Sequence, residues 1–154
     1  MKKKKSAFEY AINLLGMREH AEAELRKKMQ KKEYSSTEIN QAIQECTRLG
    51  YINDRHFAEA MIEMLQSSGR GERIIRQKLY QCGISHELMN DALAEHCDED
   101  QTMTAATIAY QSKRLTWMRE KDPRKKREKA LRFLVARGFR FGVALKVVNA
   151  AQIG

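Results

Sequence analysis

LRKKMQKKEYSSTEINQAI (residues 25–43) and IRQKLYQCGISHELMNDAL (residues 75–93) carry one apolar pattern at a constant offset of 50 residues. Leu25 meets Ile75, Met29 meets Leu79 and Tyr34 meets Ile84. Ile39 meets Met89, Ala42 meets Ala92 and Ile43 meets Leu93, with Lys28 over Lys78 and no gap between the copies. A further offset of 55 carries Leu79 to Leu134, Gly83 to Gly138, Ile84 to Phe139 and Ala92-Leu93 to Val147-Val148, a looser third copy. Self-similarity at such a period marks a repeat protein, whose units bury their apolar faces against one another.

Within each copy the apolar residues fall at helical spacing. Phe8, Ala11, Ile12 and Leu15 make one stripe, Leu25 and Met29 a second, and Ile39, Ala42, Ile43, Cys46 and Leu49 a third. The second copy predicts helices near 54–66, 70–82 and 85–96, and the third near 102–118, 124–137 and 141–151. The expected fold is therefore all-α: nine helices in three tandem three-helix repeats, residues 1–53, 54–100 and 101–154. They form an elongated, curved array of right or left hand. One proline and eight glycines in 154 residues leave too few breakers for an all-β chain.

The joints carry helix punctuation. Ser35 reads as an N-cap, with Glu38 three residues on to complete a capping box and Tyr34 and Ile39 as its hydrophobic staple. Ser85 and Ile84 repeat the arrangement, with Ile84 stapled to Met89. Gly83 and Gly138 stand where a helix ends in a left-handed residue, and Glu33 holds that place in the first copy. Gly50-Tyr51-Ile52-Asn53-Asp54 with Phe57 joins the first two copies: Gly50 stops a helix, Asn53 caps the next, and Ile52 and Phe57 staple it. Asp54 lies in the first turn, where a negative charge suits the helix dipole. This segment reads as a stiff structural joint, with recognition by Tyr51 or Asp54 the alternative.

The chain is basic, +9 overall, and the charge is sorted along it. Residues 1–32 carry +6, 33–66 carry −4, 67–82 carry +3, 83–101 carry −6 and 102–154 carry +10. Stacked in one sense, the basic middle helices would line one face with Arg26, Lys27, Lys31, Arg70, Arg73, Arg76 and Lys78. Arg124, Lys125, Lys126, Arg127 and Arg132 would extend it. Such a face suits phosphate or an acidic protein. Reversing Arg73 and Arg76 to Glu is expected to weaken binding without unfolding the chain. Trp117 either stacks on a partner or closes the core of its own repeat. The Lys2–Lys5 tail reads as disordered.

Chemistry of other kinds finds no support. Ser68-Gly69-Arg70-Gly71 lacks the lysine and the preceding strand of a phosphate loop, and no nucleophile elbow or zincin motif occurs. Cys46, Cys82 and Cys97 are odd in number and unpatterned, which suits a reducing cytoplasm. His96-Cys97 has no further ligand at metal spacing. Neither an enzyme nor a cofactor nor a metal is expected. No stretch approaches the roughly 18 apolar residues of a membrane span, and Glu9, Tyr10 and Asn13 interrupt any signal-peptide core.

Four blocks resemble the RecX family of bacterial regulatory proteins. They are Gly50-Tyr51-Ile52-Asn53-Asp54 with Phe57-Ala58; Arg18-Glu19-His20 with Ala23 to Met29; Gly71, Arg73-Ile74, Arg76 and Lys78-Leu79 with Gly83-Ile84; and Ala136-Arg137-Gly138-Phe139. The resemblance implies a curved molecule of tandem three-helix repeats that binds the RecA–single-stranded DNA filament in its groove. It would oppose filament growth, ATP hydrolysis, strand exchange and stimulated repressor cleavage, without a catalytic site. Weak, non-specific binding to single- and double-stranded DNA, a monomeric state and a cytoplasmic location go with it. Family members usually carry Ser after the Glu-His pair. Ala21 stands there, which should weaken the next helix start by about 1 kcal/mol. The other readings are a general DNA- or RNA-binding helical protein, and an adaptor whose acidic helices, such as 87–100, dock a basic protein.

Overall fold

The computed structural model describes residues 4–153, with side chains through Ala151. It is all-helical: α1 (Ala7–Met17), α2 (Glu22–Lys31), α3 (Ser36–Arg48), α4 (Asp54–Ser67), α5 (Glu72–Gln81), α6 (His86–His96), α7 (Glu99–Ser112), α8 (Arg114–Arg119), α9 (Pro123–Ala136) and α10 (Phe141–Ile153). There are thus ten helices among the described residues rather than nine. The continuous helix expected over 102–118 is broken at Lys113. The chain turns there so that Trp117 folds back over Tyr110, its indole N–H donating to the Tyr110 carbonyl at 2.9 Å.

Three apolar clusters follow the three copies. Ala11, Leu25, Met29, Ile43 and Cys46 lie at the centre of the first, Ile62, Ile75, Leu79 and Leu93 of the second, and Ala106, Leu134, Ala144 and Val148 of the third. In each, the outer helices pack on one another: α1 on α3, α4 on α6, α7 on α10. The accessible surface is 10280 Å². A compact monomer of 17.9 kDa would expose roughly 8,000 Å², so the separate small cores make an extended molecule.

The expected caps form. Ser35 Oγ accepts from the Glu38 amide at 3.1 Å, Asn53 Oδ1 from His56 at 3.0 Å and Ser85 Oγ from Leu88 at 3.2 Å. Glu38 does not reach back to the Ser35 amide; its carboxylate accepts from the Ser35 hydroxyl instead, at 3.1 Å. Gly50, Gly83 and Gly138 have positive φ, and so does Glu33, at 66°. Glu33 bears a strain of about 1–2 kcal/mol that glycine would not.

The joint between the first two copies works as one unit. Ile52 is buried in the first cluster and Phe57 in the second, so each core takes one anchor from the same short segment. Asp54 also reaches back across the joint, its Oδ1 accepting from the Glu22 amide at 2.9 Å. That amide opens α2, so the carboxylate caps α2 from the next repeat and sits at the positive end of its dipole. Glu24 accepts from the Ala21 amide at 3.1 Å. Two amides at the start of α2, those of Ala21 and Glu22, thus find partners without a capping side chain at 21, and Ala21 itself lies fully buried in the second cluster.

Part of the N-terminal tail is also held. Tyr34 donates its hydroxyl to the Lys5 carbonyl at 2.6 Å, and the Lys4 ammonium stands 4.4 Å from the Tyr34 ring centroid. Lys4 and Lys5 are thus ordered against expectation. Lys2 and Lys3 lie outside the described residues.

Candidate functional site

The basic middle helices are brought together by one contact, made twice. Gly83, in the turn after α5, sits against Ala23 in the first turn of α2; a Cβ at Gly83 would stand 2.3 Å from the Ala23 Cβ. Gly138, in the turn after α9, sits against Gly71, the N-cap of α5; a Cβ on Gly71 would stand 2.4 Å from the Gly138 carbonyl carbon. Hydrogen bonds lock the second seat, from the Gly71 amide to Arg137 O at 2.9 Å and from the Arg73 amide to Gly138 O at 3.2 Å. The C-terminal end of each middle helix therefore abuts the N-terminal end of the one before. The three basic helices follow one another as α9, α5, α2, with opposite dipole ends facing.

Structural duties divide the candidate cations. Arg26 bonds Asn40 Oδ1 at 2.8 Å and lies 3.6 Å from Glu22. Arg76 repeats this with Asn90 at 2.8 Å and Glu72 at 3.0 Å, and Arg127 meets Asn149 at 2.6 Å. In every repeat, then, an arginine ties the middle helix to the third. Arg73 gives its guanidinium to the carbonyls of Val135 and Ala136 at 3.1 and 3.4 Å, capping the C-terminus of α9 across the seat. Reversing Arg73 and Arg76 therefore removes struts as well as charge. Arg124 pairs with Glu128 at 3.5 Å. Lys27, Lys31, Lys78, Lys125 and Arg132 are exposed and without ion pairs among the described residues. Arg70 and Lys126 are half-buried.

Around the first seat a polar network is centred on one buried histidine. His20 is 3% exposed; its Nδ1–H donates to Arg18 O at 2.9 Å and its Nε2 accepts from Lys28 Nζ at 3.1 Å. Burial, then the Arg18 and Lys28 charges, hold its pKa below the ordinary histidine value. Partial burial pushes the Glu24 carboxyl up, but the Arg18 guanidinium and the Ala21 amide outweigh it and hold the group below the usual range. Across the joint, His56 Nδ1 meets Glu19 at 2.7 Å.

Trp117 is 4% exposed, stacked on Tyr110 at 5.8 Å and edge-on to Phe133 at 5.7 Å, so it closes its own core. Glu59, Glu95 and His96 converge, but the Arg55 guanidinium bridges both carboxylates at 2.7 Å and occupies the place a cation would take. Burial pushes the Cys97 thiol up to about 11, so it stays protonated and unreactive. Among the described residues no helix is long and apolar enough to cross a membrane.

Sequence reasoning missed the arginine–asparagine ties and the trans cap by Asp54. The first left a trace: Arg26 with Asn40 and Arg76 with Asn90 recur at the same offset of 50. The second left none, because residues 22 and 54 meet only once the repeats are docked.

Comparison with known proteins agrees with this architecture. Family models described as the first and second three-helix domains of RecX match residues 7–46 and 53–93. A protein named Regulatory protein RecX from Vibrio vulnificus (strain CMCP6) is 36% identical over 131 residues, 85% of this chain and 83% of its own length. Another of that name, from Legionella pneumophila (strain Corby), is 35% identical over 147 residues, 95% of each chain. The crystal structure of RecX from Lactobacillus salivarius superposes with a TM-score of 0.83 over 96% of both chains at 19% identity, which shows the fold.

Proposed function

The chain belongs to the RecX family of regulatory proteins, and from that premise we propose that it binds the RecA–single-stranded DNA filament and restrains it. In this reading it lowers filament growth, ATP hydrolysis, strand exchange and stimulated repressor cleavage. It acts in the cytoplasm as a monomer, and residues 1–53, 54–100 and 101–154 are the three units the filament meets. No covalent step is involved.

The observation that carries the reading is the succession α9, α5, α2, which turns separate basic helices into one continuous feature. Their 34 residues amount to about 50 Å of helix at 1.5 Å per residue. A feature of that length suits a periodic, negatively charged lattice better than a single phosphate. Lys27, Lys31, Lys78, Lys125 and Arg132 are the cations left available for it, and they supply salt-dependent encounter. The glycine seats supply the shape.

The test compares binding to a single-stranded oligonucleotide coated with RecA against the same oligonucleotide bare, at equal salt. Clearly tighter binding to the coated strand is expected. Equal affinity for both would make this chain a general nucleic-acid binder instead.

A further inference from the structure

The link between first and second helices is four residues long in the first two repeats (18–21 and 68–71) but ten in the third (113–122). The surplus forms α8. One side of α8 is anchored by Trp117. At 3.6 residues per turn Arg114, Met118, Leu115 and Arg119 follow one another around the helix, from beside Trp117 to the side opposite it. All four are exposed, Leu115 by 62% and Met118 by 69%. Lys113 and Lys121 flank α8, and none of these four cations has an ion pair or side-chain hydrogen bond among the described residues. Two large aliphatic side chains in a field of unpaired cations serve neither the core nor a salt bridge.

We propose that α8 is a docking helix for protein: it fits an acidic surface with an apolar recess that receives Leu115 and Met118. Charge complementarity sets the sign of the partner, and the aliphatic pair sets its class. A platform for stacking single-stranded bases would turn an aromatic ring outward, whereas the one aromatic side chain of α8 is buried, and phosphate contact alone would leave Leu115 and Met118 without a role. The inference rests on the reading above, in which the acidic surface belongs to the protein subunits of the filament rather than to its DNA.

The experiment replaces Leu115→Ser together with Met118→Ser, and separately Arg114→Glu together with Arg119→Glu. Affinity is measured for an oligonucleotide coated with RecA and for the bare oligonucleotide, with Trp117 emission reporting that α8 remains seated. Both double variants should bind the coated strand at least about tenfold more weakly, the loss of roughly one apolar contact. The serine pair should leave bare-strand affinity unchanged. Unimpaired binding of the serine pair to the coated strand would overturn the docking helix, as would a parallel loss on bare DNA, which would make α8 a nucleic-acid contact. Failure of the unsubstituted protein to prefer the coated strand would instead overturn the reading on which the inference rests.

Discussion

Gly83→Ala isolates what holds the repeats in register. Gly83 has φ +81°, and an L residue in that region costs about 1–2 kcal/mol. Its added Cβ would also stand 2.3 Å from the Ala23 Cβ, well inside the ~3.5–4.0 Å of carbon contact. Forced overpacking of this kind adds about 1–3 kcal/mol, for a total near 2–5 kcal/mol. Gly50→Ala is the control, since Gly50 has φ +78° but nothing within 4 Å of an added Cβ. It should cost only the backbone part, about 1–2 kcal/mol. Ala23→Gly removes the methyl group that is struck, at about 0.5–1 kcal/mol for glycine in a helix. The double variant Gly83→Ala, Ala23→Gly should therefore recover most of the steric loss. Urea unfolding followed by circular dichroism measures all four proteins. If Gly83→Ala costs no more than Gly50→Ala, or if Ala23→Gly brings no recovery, the turn glycine is merely a helix stop and the seat does not set repeat geometry.

Three further outcomes follow from the same contacts. His20 is neutral in the fold with a pKa held below its ordinary 6.5, so the unfolded chain takes up a proton first as pH falls; this contribution to stability should be constant above pH 6.5 and drop as pH falls from there towards the lowered value. His20→Gln should flatten that slope in urea midpoints taken from pH 8 to pH 5. Asp54→Ala should destabilise by about 0.5–2 kcal/mol through loss of the cap on α2, with faster amide exchange at Glu22 as its local signature. Lys125→Glu with Arg132→Glu should weaken filament binding and flatten its salt dependence with an unchanged urea midpoint, whereas Arg73→Glu with Arg76→Glu should lower the midpoint as well.

Much of the fold is legible in one dimension because a repeat states its pattern more than once. The apolar register between 25–43 and 75–93 places helices that the structure finds within a few residues, and the caps at Ser35, Asn53 and Ser85 fall where a hydroxyl or amide oxygen precedes an apolar stripe. What escapes is whatever depends on how repeats dock. Gly83 reads as a helix stop, but its closeness to Ala23 requires two repeats in place. Lys113 is itself a good helix former, and no glycine or proline marks the break there. The tertiary pull of Trp117 on Tyr110 decides it instead. The candidate surface is legible as charge but not as availability: Arg26, Arg73 and Arg76 look like Lys27 and Lys78 in sequence, yet only the arginines are committed to helix ties and caps. Arginine's planar fork suits it to that work, where lysine acts as a point charge.

Hydrolysis of ATP by RecA on single-stranded DNA, followed while this chain is titrated in at two salt concentrations, tests the central claim most directly. The account expects hydrolysis to fall as the chain is added, and to fall less at the higher salt. Inhibition well below equimolar amounts would point to action at filament ends, and inhibition only near equal amounts to occupation along the groove. Undiminished hydrolysis in the presence of a sample with full helical dichroism and buried Trp117 emission would contradict it.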